Sequence, residues 1–181
     1  MMDSRGKSKK GFLLGADLFL LAVLIFLDQI TKFLAIKYLK DKNSISLVPG
    51  VFELKYLENR GAAFGMLQNQ KFFFIFIAIV ILAVITYVLI KTPNQNKYIK
   101  LHIALVFVAS GAIGNMIDRC RYEYVVDFLY FSIINFPIFN VADIYVTLSA
   151  IYLIVLIMFV YKENDLNFLS LRTKKYRDIN Q

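Results

Sequence analysis

Residues 72–90 read FFFIFIAIVILAVITYVLI, an apolar run with no charge, glycine or proline. A helix needs roughly 20 apolar residues to cross about 30 Å of hydrocarbon, so this run predicts a transmembrane helix. Three further runs, 11–27, 101–117 and 144–161, approach the same length. The first carries Asp17 near its start, within reach of the interface or of Lys9 and Lys10; the third has His102 at one end and Asn115 at the other. Hydrocarbon offers no water to unpaired backbone groups, so runs of this length are satisfied as helices. The expectation is an all-α integral membrane protein with four transmembrane helices and a small extracytoplasmic β-sheet element. Residues 11–161 form one membrane domain, between soluble, mobile tails at 1–10 and 162–181.

The rest of the composition agrees. The chain has 181 residues, 59% of them hydrophobic, with a mean hydropathy of +0.60 and a net charge of +8. The basic lead Arg5, Lys7, Lys9, Lys10 resembles a signal-peptide start, but DQITK follows the first run rather than a small-residue cleavage site. An even number of spans puts both termini on one side, with twelve basic residues against nine on the other. That bias orients the termini to the cytoplasm, and the charge suits an anionic cytoplasmic leaflet. Nucleic acid is not expected as a partner, because the basic residues form short patches around spans without a recognition motif. A single cysteine, Cys120, and a single histidine, His102, argue against a disulfide framework and a metal centre. Cys120 reads as a bystander and His102 as an interfacial side chain.

Two loops fall on the extracytoplasmic side. In the first, residues 28–71, SISLV, Pro49-Gly50 and VFELKYLEN read as two short strands around a turn. The second, residues 118–142, is charged over its first ten positions and then becomes FLYFSIINFPIF. An uncharged, aromatic stretch of this kind suits the lipid–water interface, as a lid or a membrane-dipping segment.

Asp127 and Asp143 flank that stretch. Carboxylates at a bilayer edge are costly unless paired, hydrated or used. Brought together, two carboxyls cannot both ionise cheaply; they share a proton and can activate a water. The competing reading makes Asp143 a helix N-cap and Asp127 an exposed loop charge. Nothing resembles a Ser–Lys or Ser–His protease, and no HExxH occurs.

Five polar clusters lie at this membrane face: Asp28-Gln29-x-x-Lys32, Asn59-x-Gly61-Ala62-Ala63-Phe64-Gly65, Gly114-Asn115-x-x-Asp118-Arg119, Val126-Asp127-Phe128 and Phe139-Asn140-x-Ala142-Asp143. In this order they closely resemble the lipoprotein signal peptidase (signal peptidase II) family, from Asp28 to Ser149. The resemblance implies an aspartic peptidase of the bacterial inner membrane. Such an enzyme removes signal peptides from prolipoproteins, cutting before a diacylglyceryl-modified cysteine, without a cofactor. It implies Asp127 and Asp143 as the catalytic pair, and substrate binding near Asn59 and Gly61, where close packing between spans is the alternative. For Asp28 and Lys32, one helical turn apart, it implies a lipid-headgroup or structural role. Asn115 and Asn140 suit the substrate backbone or a carboxylate, with capping and packing equally open. Arg119 pairs with Asp118, braces the backbone near the acids or snorkels at the interface. One departure stands out: Glu123 occupies the position of a common family glycine between Asp118-Arg119 and Asp127. The expected partners are lipidated precursors and membrane lipids, and the chain is expected to act as a monomer. Two other classes compete. A small ion- or proton-coupled transporter would use Asp17, Asp127 and Asp143, but needs acids at mid-span. A non-catalytic assembly subunit would need no paired carboxylates.

Overall fold

The computed structural model describes residues 4–61 and 67–170. Four helices carry the apolar runs: α1 (Ser4–Leu39), α2 (Lys71–Lys91), α3 (Ile99–Tyr122) and α4 (Val141–Val155), the last prolonged by a π-helical turn, Leu156–Val160. All four are long and apolar enough to cross a membrane. α3 is the hub, with Leu101, Leu105, Ala109, Ser110 and Gly111 buried among the other three. The outer helices turn large apolar side chains outward, including Phe19, Phe26, Phe76, Val84, Ile151 and Phe159. Such a surface would aggregate in water and is at ease in lipid.

α1 does not end at Asp28, where the first loop was expected to begin. It continues to Leu39 because 29–39 holds no glycine or proline. Ala35 and Leu39, one turn apart, are buried against Val126 and Phe128. The extension carries Asp28 and Lys32 inside the helix.

The small sheet has three strands rather than two, β1 (Ile45–Val48), β2 (Phe52–Asn59) and β3 (Val125–Phe131), antiparallel in the order β1-β2-β3. Gly50, at φ +69°, makes the turn between β1 and β2. β3 is the correction: Asp127 sits on a strand, because VVDFLYF is a β-branched and aromatic run that pairs with β2. After β3 the chain turns through Ser132–Ile134, exposing Ile133 and Ile134, and returns at Phe139. The Phe139 carbonyl accepts from the N–H groups of Phe128 and Leu129, at 3.0 and 2.8 Å. That bridge fixes the start of α4 beside the middle of β3.

At the opposite end, Asp17 pairs with neither Lys9 nor Lys10. Its carboxylate lies 2.6 Å from His102 Nδ1, and both side chains are buried. His102 is thus the buried partner of Asp17; no local signal links residues 85 positions apart. The tail also starts ordered. Glu163–Leu169 forms a 3₁₀ turn whose Leu166 and Phe168 pack against the cluster around Tyr98 and Tyr161, with Lys97 holding Asp165 at 2.7 Å. Residues 171–181, the remainder of that expected tail, lie outside the described residues.

Candidate active site

β3 and α4 each present one acid. On β3, Asp127 follows the buried Val125 and Val126 and is itself 1% exposed. On α4, Asn140 is the N-cap and Asp143 the third helical residue, in a reciprocal capping box. The Asn140 side-chain oxygen accepts from the Asp143 N–H at 3.0 Å, and an Asp143 oxygen accepts from the Asn140 N–H at 3.1 Å. The capping reading is corrected on both residues: Asn140, not Asp143, is the N-cap, with Asp143 returning the bond, and Asp127 is a buried strand residue.

That cap fixes which way the Asn140 amide faces. With its oxygen used, its NH₂ donates to Asp127 at 2.6 Å and to Asn115 at 3.2 Å. Two other amides are fixed in the same way. Asn59 accepts from the Gly61 N–H at 3.0 Å and donates to the second Asp127 oxygen at 2.8 Å. Asn115 accepts from Lys32 at 2.9 Å and donates to Asp143 at 2.8 Å. Each of the four carboxyl oxygens therefore receives an N–H, and among the described residues Asn140 alone donates to both acids.

The site leaves its charges poorly solvated. Burial first, and then the Asp143 charge, push the Asp127 carboxyl up to about 7, against the donors Asn59 and Asn140. Asp127 and Asp143 line one groove of about 450 Å³, together with Asn59, Gly61, Asn115 and Arg119. Its far wall is apolar, from Phe136, Ile138 and Leu148. A second groove, of about 330 Å³, leads from the same Asn115, Arg119 and Asp143 along α2, past Phe74, Ile77 and Ile81.

Of the readings open for Arg119, the ion pair with Asp118 does not form and the backbone brace does. Arg119 donates to the carbonyls of Asn115 and Gly61, at 3.4 and 3.3 Å, and stacks 4.5 Å from the Phe74 ring. Asp118 turns the other way and meets Lys32 at 3.0 Å. Consecutive helical residues point about 100° apart, so one faces the groove and the other the core. Asp28 and Lys32 are buried beneath the site, 0% and 2% exposed, which leaves no access for a lipid headgroup.

Residues outside the expected set also belong to the site's frame. Asp118 accepts from the Val126 N–H at 3.1 Å, and Gln29 donates to Asp28, to Asp118 and to the Gly114 carbonyl. The quoted motifs contained all three, and only their partners were invisible. Gly114 is required by space: a Cβ there would collide with the Asp28 carboxylate. Ala62, Ala63, Phe64 and Gly65 lie outside the described residues. Among the described residues no cluster of His, Cys, Asp and Glu could hold a metal ion.

Geometrically, this is a paired-carboxyl site at one end of a helical bundle, open to an apolar groove. Comparison with known proteins adds its kinship. The signal peptidase (SPase) II family profile matches residues 20–159. The lipoprotein signal peptidase of Caldanaerobacter subterraneus subsp. tengcongensis is 48% identical over 141 residues, 77% of this chain and 94% of the relative. That of Streptococcus thermophilus is 42% identical over 142 residues, 78% of this chain and 90% of the relative. A bacterial membrane enzyme solved by the in meso method at 2.3 Å resolution superposes with a TM-score of 0.73 at 29% identity, covering 88% of this chain and 94% of that one.

Proposed function

The chain belongs to the signal peptidase II family, and from that premise we propose that it is an aspartic endopeptidase using Asp127 and Asp143. It is a protease of the bacterial membrane that removes signal peptides from prolipoproteins. The finer reading is that it cuts immediately before a diacylglyceryl-modified cysteine. The observation that carries the dyad is Asn140, which donates to Asp127 through its side chain and to Asp143 through its backbone. One asparagine serving both acids, and the Asp143 charge acting on Asp127, support a pair that shares one water.

The chemistry follows from one proton shared by the pair. The ionised carboxylate takes a proton from the water as its oxygen attacks the scissile carbonyl carbon. The protonated carboxyl gives its proton to the carbonyl oxygen, and a neutral gem-diol forms. As the C–N bond breaks, the leaving nitrogen takes the proton removed from water, and a gem-diol hydroxyl returns the other. The products are a carboxylic acid and an amine, and the dyad again holds one proton. No metal or cofactor enters these steps.

Asn59, Gly61, Asn115 and Arg119 flank the groove and bind or align the extended cleavage segment, with Asn140, Asp28 and Lys32 supporting from behind. The apolar walls suit acyl chains that stay in the bilayer while the peptide enters from the side. The working unit is a monomer of residues 11–161 among membrane lipids, with both terminal segments cytoplasmic. Transport is not supported: Asp17 is tied to His102, roughly 16 Å along α1 from Asp28 at 1.5 Å per residue. The deciding experiment is prolipoprotein processing by Asp127→Asn and Asp143→Asn in membranes. Loss of cleavage in both, with each variant folded, is expected; normal turnover by either overturns the dyad.

A further inference from the structure

Behind the dyad lies a buried cluster of two acids and one base whose hydrogen bonds follow a pattern. Asp28 accepts from the N–H of Ala142, the residue immediately before Asp143, at 3.0 Å. Asp118 accepts from the N–H of Val126, the residue immediately before Asp127, at 3.1 Å. Two carboxylates on different helices thus grip the backbone one residue upstream of each reactive acid. Lys32 lies 3.0 Å from both carboxylates, and its third contact is the Asn115 side-chain oxygen at 2.9 Å. Those three contacts use all three ammonium donors, and the side chain is 3% exposed.

We infer that Lys32 is the positioning residue of the dyad, joining the anchors of Asp127 and Asp143 into one rigid spacer and turning the Asn115 NH₂ toward Asp143. The inference rests on the dyad reading given above. A lysine needed only to neutralise buried charge would require one acid; here two acids surround it, and each holds a different strand or helix of the site. The third bond explains an otherwise arbitrary amide orientation. With its oxygen facing Lys32 and Asn140, the Asn115 amide has only its donor left for Asp143. Gln29 spans the two anchors as well, donating to Asp28 at 3.1 Å and Asp118 at 3.0 Å, so the spacer is braced on a second side.

Removing Lys32 alone leaves two buried acids uncompensated and endangers folding. The test therefore uses Lys32→Met with Asp118→Asn, which keeps the cluster at one net negative charge and leaves an oxygen for Val126. A second variant, Asp28→Asn, keeps an acceptor for Ala142 while cutting its ionic link to Lys32. Both are assayed on a lipidated prolipoprotein in detergent micelles beside Asp127→Asn. A slackened dyad predicts a kcat about 100-fold lower in the double variant and about 10-fold lower in Asp28→Asn, with KM within about threefold of wild type. It also predicts a displaced pH profile of kcat/KM, because the separation of the acids sets their mutual repulsion. Wild-type kcat in the folded double variant overturns the positioning role, and so does a kcat loss with an unmoved pH profile. If Asp127→Asn itself turns over normally, the dyad reading has failed instead.

Discussion

Asp127 is the residue at which burial has the clearest consequence. Its carboxyl is held up to about 7, chiefly by burial and then by the Asp143 charge. In the free enzyme it keeps its proton below that value and loses it above, so a mechanism needing one protonated acid declines as pH rises through about 7. The expected kcat/KM profile has its alkaline limb there. Asn59→Ala removes a donor that favours the ionised form, so the limb moves upward by a fraction of a pH unit. A downward shift contradicts the assignment. Stability carries the same sign. The unfolded chain releases this proton near the ordinary carboxylate value of about 4 and the folded chain near 7, so wild type loses stability as pH rises between the two. Asp127→Asn lacks that loss. Its melting temperature relative to wild type should climb from pH 4 to pH 7 and level off above, read by thermal unfolding in detergent.

Elements set what those residues can do, and they account for most of what was hidden in the sequence. The four spans were legible because hydropathy is a local property, and the five polar clusters because each is a short local pattern. The pairings Lys32–Asp118 and Asp17–His102 were not, since they join residues 85 or more positions apart. β3 was missed for a different reason: the uncharged, aromatic run after Asp127 drew an interface reading of a segment whose valines and aromatic residues also fit a strand. Close packing between α3 and α4 is legible only afterwards, at Gly111. A Cβ there would lie 2.5 Å from the Ala142 carbonyl oxygen and 2.6 Å from a Val146 methyl. The carbonyl belongs to backbone and cannot rotate away, so Gly111→Ala pushes α4, and Asp143 with it, off its site. The expected result is about 100-fold lower kcat and about 1–3 kcal/mol lost stability; turnover near wild type would mean the helices separate harmlessly. Glu123 answers the one departure from the family pattern. It ends α3 at φ +70°, where glycine is favoured, and its carboxylate pairs with Lys71 at the start of α2. Glu123→Ala keeps the strained backbone and loses the ion pair, whereas Glu123→Gly loses the pair and relieves the backbone. The glycine variant should therefore be about 1 kcal/mol more stable than the alanine variant, the reverse of a helix interior.

The whole molecule assigns opposite ends to opposite kinds of chemistry. One end carries the sheet, both grooves and the acids. The other carries the Asp17–His102 pair, the short α2–α3 connection and the docked segment Glu163–Leu169. Between them the outer helices are clothed in phenylalanine, isoleucine and leucine, a surface along which a lipid-anchored chain can meet the groove sideways from the bilayer without crossing water. The proposed reaction acts on a precursor delivered across the membrane, with its cleavage point at the outer face. This architecture is therefore productive only if the sheet end is extracytoplasmic and the even number of spans returns both terminal segments to the cytoplasm. The native Cys120 reports on this directly. It is exposed and lies two residues beyond Asp118 at the sheet end of α3, and the sequence holds no other cysteine. An impermeant maleimide should label intact cells or spheroplasts at Cys120. In a Cys120→Ser background, Gln95→Cys, in the α2–α3 connection, should label only after the membrane is permeabilised. Labelling at position 95 in intact cells, with Cys120 protected, would put the acids on the cytoplasmic side. It would remove the topological basis for cleaving an exported precursor while leaving the carboxyl geometry intact.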